Sequence, residues 1–289
     1  MDDFKKRLAH LLHCRGVGWK LVYDLLEIDV ELKNLYNDST AVLISKLSPA
    51  SYRTILTDLH SHSTLDQIRQ YPYNQIKIIS IFDPYYPPLL KEIYQPPWIL
   101  YAKGDVEILN QTPKLAVVGS RVATEYGKRA IDSLFPKLLE RGIVIVSGLA
   151  TGIDTLAHQT AVMNSGKTIA VLGGGFYHIY PKENKDLAFE MMRNQLVISE
   201  YPPNTKPARW QFPMRNRIIS GISWGTFIIE AKSRSGSLIT ANLALNEGRE
   251  VFALPGSIFS PYSVGTNELI QQGAKPVKCS QDIIEEIYY

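Results

Sequence analysis

From Lys114 onward the sequence alternates short apolar strands with helical segments, and this rhythm constrains the fold more than any other feature. The strands are "KLAVVG", "IVIVSG", "TIAVLG", "LVIS", "TFIIEA" and "VFALPG". Helical segments between and after them begin near Glu125, Ile153, Glu183, Met214, Ser237 and Asn267. Apolar strands separated by helices are typical of a parallel sheet covered on both faces. We therefore predict an α/β fold with a doubly wound, mostly parallel sheet.

The first 70 residues differ, because they read as short helices joined by tight turns. "DFKKRLAHLLHC" and "WKLVYDLLEI" carry apolar residues at spacings of three and four, with "RGVG" (15–18) between them. Such a turn is either a plain connection or part of a helix-hairpin-helix, a module that often holds DNA phosphates on backbone amides. We predict a small all-α domain at 1–70, a Pro/Tyr-rich linker that begins the next domain at 71–113, and the α/β domain at 114–289.

Composition limits the class of protein. The net charge is only +3, but residues 114–217 hold 14 basic against 8 acidic residues, which favours an anionic ligand. Cys14 and Cys279 have no metal-type or redox-type spacing, and His10 and His13 beside Cys14 fit a half-buried helix better than a metal site. No apolar run is long enough to span a membrane, and no signal peptide is present. We expect a cytoplasmic protein with no metal and no cofactor.

Glycines and hydroxyl residues follow the predicted strands, at the edge where a doubly wound sheet builds its ligand crevice. Gly119, Ser120 and Arg121 end the first strand, and Ser147 and Gly148 end the second. Backbone amides, hydroxyls and a guanidinium at such a place suit a phosphate. The alternative is a turn whose arginine points to water.

Two later loops have the same character. Ser235, Gly236 and Ser237 open a helix, which is the geometry of an anion site. Gly174, Phe176 and Lys182 lie in "GGGFYHIYPKEN", where aromatic faces and charge are the ingredients for stacking single-stranded bases. An aromatic edge of the core with surface lysines is the alternative.

Familiar nucleotide motifs are missing. The first strand–turn–helix lacks G-x-G-x-x-G, and "SGKT" (165–168) runs from helix into strand and lacks the upstream glycine of a P-loop. Asp154 and His158 stand one helical turn apart, which allows a catalytic base, but an acid in a first helical turn is more simply a cap.

The motifs, taken together, resemble the DprA/Smf family of DNA-processing proteins. They are "GSR", "SGLATGID", "GGGFYHIYPKEN", "SEYPP", "FPMRNRIISGIS", "EAKSRSGSLITA", "GREVFALPG" and "GTNELIQQGA", in family order across 117–274, with a matching segment upstream from about residue 86. The resemblance implies a Rossmann-like domain preceded by a SAM-like helical domain. The chain stops about fifteen residues after "GAK", so the winged helix of some members is expected to be absent.

The resemblance also implies a function. Members bind single-stranded DNA without marked sequence preference, load the recombinase RecA onto incoming strands in natural transformation, displace single-strand-binding protein and act as homodimers. By motif, Arg121 and Lys182 are the leading DNA contacts, followed by Phe176 and the serines of "SGS". The dimer and RecA contacts are expected around Leu269 and Ile270.

Other functions compete with this one. A nucleotide N-glycoside hydrolase, resembling phosphoribohydrolases, would use Arg215 and Glu230, although "SWGTFIIEA" keeps only part of the motif of those enzymes. A dinucleotide-dependent oxidoreductase is disfavoured by the missing fingerprint. Because no nucleophile is evident, we predict no catalytic residues.

The stretch "QFPMRNRIISG" places two arginines near a helix start, where the helix dipole disfavours cations. They are two residues apart, about 200° around a helix, so they cannot face the same way. We predict that Arg215 is structural and pairs with Glu230, and that Arg217 is a weaker DNA contact than Arg121.

Overall fold

The computed structural model of the protein describes residues 2–36 and 48–288. They form two compact units, one of Met1–Ile81 and Pro97–Tyr101, the other of Phe82–Pro96 and Ala102–Tyr289. The predicted segment 71–113 contributes to both units. No helix in the described ranges combines the length and the apolar character that crossing a membrane requires.

The first unit is mainly helical. Its elements are α1 Asp3–His13, α2 Trp19–Ile28, α3 Pro49–Leu59, α4 His62–Gln70 and β1 Ile76–Ser80. The turn between α1 and α2 has Gly16 in the left-handed region, with φ of +84°. Burial lowers the pKa of His13 to about 4, and its Nε2 lies 2.6 Å from the hydroxyl of Tyr71. His13 is therefore a neutral, half-buried side chain.

The strands carry the architecture of the second unit. They are β3 Lys114–Val118, β4 Val144–Ser147, β5 Thr168–Leu172, β6 Leu196–Ser199, β7 Gly225–Ile228, β8 Glu250–Ala253 and β9 Lys275–Pro276. β2 Ile99–Gly104 begins in the first unit and ends in the second. Among the described residues, hydrogen bonds join the strands in the order β1-β2-β6-β5-β4-β3-β7-β8-β9, and all pairs from β6 to β9 are parallel. The predicted doubly wound sheet is confirmed, and its order reverses between β3 and β7.

Helices cover this sheet. They are α5 Pro88–Lys91, α6 Glu125–Glu140, α7 Ile153–Met163, α8 Lys185–Asn194, α9 Gln211–Gly221, α10 Gly236–Asn246, α11 Val264–Gln271 and α12 Ser280–Tyr288, with 3-10 turns at Val106–Asn110 and Lys182–Asn184. A core of buried aliphatic and aromatic residues joins α6, α7 and α12 to the central strands. Burying apolar area at about 25 cal/mol per Å² is the main force that holds such layers together.

Gly152 is the N-cap of α7 and has φ +77° and ψ −125°, a backbone conformation reserved for glycine. A Cβ there would lie 2.3 Å from the carbonyl oxygen of Ser120. We expect Gly152→Ala to lower the free energy of unfolding in urea by about 2–3 kcal/mol or more.

Gly236→Ala is the matched control, because a Cβ at Gly236 meets no heavy atom within 4 Å. Its free energy of unfolding should stay within about 0.5 kcal/mol of wild type or rise slightly. Equal effects of the two substitutions would contradict the argument.

Candidate nucleic-acid interface

A crevice of about 680 Å³ opens at the carboxyl ends of the strands, where the strand order reverses between β3 and β7. This is the place where doubly wound sheets bind ligands. Its cationic lining residues, within the described chain, are Arg121, Arg209, Arg215, Lys232 and Arg234. Asp154 is the acidic residue among them. The crevice is therefore strongly positive and suits a polyanion.

One wall is the predicted loop Gly119-Ser120-Arg121, which follows β3. Gly119 is needed because a Cβ there would lie 2.7 Å from a side-chain carbon of Ile153. The Ser120 hydroxyl accepts from the amide of Val122 at 3.1 Å and donates to its carbonyl oxygen, which fixes the turn. Arg121 is exposed and lines both this crevice and a neighbouring hollow of about 500 Å³.

The facing wall is the start of α10. Its N-cap Ser235 accepts a hydrogen bond from the amide of Ser237 at 3.3 Å, and its first turn contains no acidic residue. The positive end of the helix dipole therefore faces the crevice without a carboxylate to neutralise it. Lys232 and Arg234, both exposed, precede this helix and add charge.

Arg215 forms the floor of the crevice. Its Nη1 donates to the carbonyl oxygens of Gly148 and Val171, both at 2.5 Å. A Cβ on Gly148 would lie 2.3 Å from that nitrogen, so glycine is required here. Burial lowers the pKa of Arg215 to about 10 against the opposing effect of Asp154, so the guanidinium stays charged at neutral pH.

Asp154 holds the same loop through its amides. Its Oδ2 accepts from Gly148 N at 3.1 Å and from Ala150 N at 3.3 Å. Burial raises the pKa of this carboxyl, and Arg215 and the two amides oppose the shift. His158 Nδ1 lies 2.7 Å from the hydroxyl of Thr168, and burial lowers the pKa of His158 to about 3. Asp154 thus serves as a loop anchor, and His158 as a neutral core side chain.

The predicted pair of Arg215 with Glu230 is wrong. Glu230 is buried and accepts hydrogen bonds from the amide of Thr124, at 2.9 Å, and from its hydroxyl. Thr124 is the N-cap of α6, so Glu230 holds the start of that helix. The hydrolase hypothesis therefore loses the paired Arg and Glu on which it depended.

The prediction that Arg217 contacts DNA is also corrected. Arg217 is buried, and its Nη2 donates to Glu200 Oε1 at 2.5 Å. It is absent from the lining of the crevice. The predicted opposite orientation of the two arginines is real, but both are structural.

Three further predicted contacts belong to the frame of the site. Ser147 is buried and its hydroxyl donates to Val117 O at 2.6 Å. Phe176 is buried, so its ring offers no face to a base. Gly174 is buried and accepts from the Ser199 hydroxyl at 2.8 Å. These residues were predicted as DNA contacts because they follow strands, but their side chains or backbone groups point into the fold.

Lys182 is exposed on the 3-10 turn that precedes α8 and lies outside the lining of both hollows. Two residues later, Asn184 donates through Nδ2 to Leu149 O at 2.9 Å, which ties this turn to the loop after β4. Leu269 is buried in its own fold and Ile270 is half-buried. Of this predicted pair, Ile270 alone remains a candidate for a partner surface.

Residues that the sequence reasoning missed also line the crevice. They are Arg209 and Phe212, from the segment before and at the start of α9. Tyr180, which comes from the predicted aromatic loop "GGGFYHIYPKEN", lines the crevice as well. The rings of Tyr180 and Phe212 lie 5.4 Å apart, and Trp210 beside Arg209 is exposed. The signal was the local run "ARWQF", a cation beside two aromatic residues, just upstream of the arginines that received attention.

The fold and crevice define an α/β protein with a cationic ligand site at the switch point of a doubly wound sheet. The chain belongs to the DNA recombination-mediator protein A family, whose model matches residues 77–288. It is thus a member of a family of DNA-processing proteins, as its motifs indicated.

Curated relatives and solved structures agree. The chain is 51% identical to Bacillus subtilis DNA processing protein DprA over 212 residues, covering 73% of this chain and 71% of that protein. The structure of Streptococcus pneumoniae DprA matches with a TM-score of 0.87 at 40% identity and covers 98% of each chain. The Helicobacter pylori protein, whose structure concerns its single-stranded DNA binding mode, matches with a TM-score of 0.67 at 32% identity and covers 73% of this chain and 94% of that one.

Arg215→Met tests the floor of the crevice. Removing the guanidinium leaves the buried carboxylate of Asp154 without its compensating positive charge. The free energy of unfolding in urea should therefore fall by about 3–5 kcal/mol. Adding Asp154→Asn should recover part of the loss, because the amide is neutral and its oxygen still accepts from the loop.

Arg209→Met is the control for loss of an arginine side chain. Arg209 is exposed, so this change should stay within about 0.5 kcal/mol of wild type. A loss below about 1 kcal/mol for Arg215→Met would contradict the assigned role.

Proposed function

We propose that this protein binds single-stranded DNA, without sequence preference, along the crevice at the switch point of its sheet. One observation carries the proposal: exposed cations and the positive end of α10, whose first turn contains no carboxylate, face one crevice whose acidic residue, Asp154, is buried and engaged by amides. Phosphates are the ligand chemistry that such a surface favours. The single-stranded DNA binding of the Helicobacter pylori relative supports the choice of polyanion.

Aromatic faces favour a single strand over a duplex. Tyr180 and Trp210 are exposed, and Phe212 is partly exposed beside them. Unpaired bases can stack on such rings, and stacking tolerates any sequence because every base has a π-face. Duplex DNA hides its base faces, so these rings would contribute little to its binding.

Family membership supports the rest of the proposal. We propose that the protein also loads RecA onto incoming single strands during natural transformation and displaces single-strand-binding protein. It works as a homodimer in the cytoplasm without catalysing a reaction. The free thiols Cys14, which is buried, and Cys279 are consistent with a reducing compartment.

The double substitution Arg121→Ala/Arg209→Ala tests the crevice. We expect affinity for oligothymidine, measured by fluorescence anisotropy, to fall about ten- to a hundredfold, because two charge-assisted contacts are lost. The slope of log K against log salt should decrease by about 1.4, since each phosphate contact to a single strand contributes about 0.7.

The matched control is Arg141→Ala/Arg193→Ala, which also removes two exposed arginines. These residues end α6 and α8, before the amino ends of β4 and β6, at the opposite edge of the sheet. If both double variants lose affinity equally, general charge rather than the crevice drives binding. Loss of Lys182 in a separate variant would show whether the DNA path reaches the 3-10 turn.

Ile270→Arg tests the proposed homodimer. A charge on this half-buried side chain of α11 should shift sedimentation from dimer to monomer, because desolvating an unpaired charge opposes association. RecA loading onto strands coated with single-strand-binding protein should fall in parallel. Gln271→Arg, at an exposed neighbouring position, should leave both measurements unchanged. A dimeric Ile270→Arg protein would place the interface elsewhere.

A further inference from the structure

The loop after β8 presents two large apolar side chains to solvent. Ile258 is 80% exposed and Phe259 is 90% exposed. Tyr126, about half exposed, lies beside the same loop, with its hydroxyl donating to Pro255 O at 2.5 Å. An exposed phenylalanine beside an exposed isoleucine costs solubility and contributes nothing to the core, so contact with another molecule is the natural explanation.

Hydrogen bonds hold this loop, so the exposed side chains of Ile258 and Phe259 have a defined position. Asn267 of α11 donates to Gly256 O at 3.0 Å and accepts from Gly256 N at 3.2 Å. The amide of Phe259 donates to the Ser257 hydroxyl at 3.2 Å. A side chain displayed on an ordered turn loses little conformational entropy when it binds.

This loop is continuous with the crevice. The amide of Ala231 donates to Tyr262 O at 2.8 Å, and the amide of Gly265 donates to Ala231 O at 2.8 Å. Lys232, which lines the crevice, places its Nζ 4.6 Å from the centre of the Tyr262 ring. The cationic wall of the crevice therefore leads directly onto the base of the apolar loop.

We propose that the loop tip at Ile258 and Phe259 contacts single-stranded DNA that leaves the crevice past Lys232, with the Phe259 ring as the stacking face. Lys232 and Arg234 hold phosphates there, while the exposed ring of Phe259 receives the face of a base. This combination of cations and aromatic rings is how non-specific single-strand sites are built. The inference rests on the proposed function and extends the DNA path beyond the crevice itself.

Phe259→Ala tests the proposal with oligothymidines of about 6 and about 20 nucleotides, lengths within and beyond a typical single-strand site. Affinity for the longer strand should fall about fivefold or more, the loss of one stacked base, while the short strand binds as in wild type. Phe259→Tyr keeps an aromatic face and should bind both lengths normally. Melting temperatures should match wild type, because the side chain is exposed.

An abasic strand of the longer length isolates the stacking. Wild type and Phe259→Ala should bind it equally. Met163→Ala is the control for loss of an exposed apolar side chain, because Met163 is 78% exposed at the C-terminal end of α7, away from the crevice. It should not change affinity for any strand.

Three results would overturn the inference. Wild-type affinity of Phe259→Ala for both lengths would remove Phe259 from the DNA path. An equal loss on the abasic strand would exclude stacking. Dissociation of a dimer by Phe259→Ala, in sedimentation without DNA, would assign the loop to contact between copies. Failure of the wild-type protein to bind any strand would instead refute the proposed function itself.

Discussion

The double anchoring of Gly148 is the interaction on which the candidate site depends. Its carbonyl oxygen accepts from Arg215 and its amide donates to Asp154. Because Arg215 also binds Val171 O, one guanidinium joins the ends of β4 and β5. Carbonyls at strand ends would otherwise repel an anion, and their engagement by Arg215 leaves the crevice with a positive floor.

This arrangement separates two tasks of positive charge. The buried Arg215 is fixed by its hydrogen bonds to Gly148 O and Val171 O and cannot follow an irregular ligand, whereas the exposed Arg121 and Arg209 make no ion pair within the described residues. Exposed arginines keep their rotamer freedom until phosphate arrives. A backbone of variable course can therefore be bound by adaptable cations over a rigid floor.

The sequence predicted the sheet well because hydrophobic periodicity is a local signal. The predicted strands of the α/β domain appeared, and most helix starts fell within a few residues of the predicted positions. The largest shifts were of three residues: α11 begins at Val264 rather than near Asn267, and α9 begins at Gln211 rather than near Met214. Arg215 and Arg217 therefore lie past the first turn, where the helix dipole has little effect.

Which side chains face the crevice was harder to predict, because it depends on contacts distant in the chain. Residue type does not distinguish Glu230 from Glu200. Even so, Glu230 accepts a hydrogen bond from the amide of Thr124, whereas Glu200 accepts one from the guanidinium of Arg217. Phe176 lies next to strand-end glycines, and Phe212 lies near cations. Of the two rings, only that of Phe212 lines the crevice. Strand-end position identified the edge of the sheet, and tertiary packing decided the direction of each side chain.

Exposed charge in the lining of the crevice suits binding that does not depend on base sequence. Recognition of a particular base requires side chains that donate or accept at defined positions and that are held there by neighbours. In the crevice, the carboxylate of Asp154 is used by the protein's own backbone amides. The crevice offers a ligand exposed charge, the positive end of the α10 dipole and aromatic faces. All three recognise features that every nucleotide shares, so the physical design favours coverage of a strand over discrimination between bases.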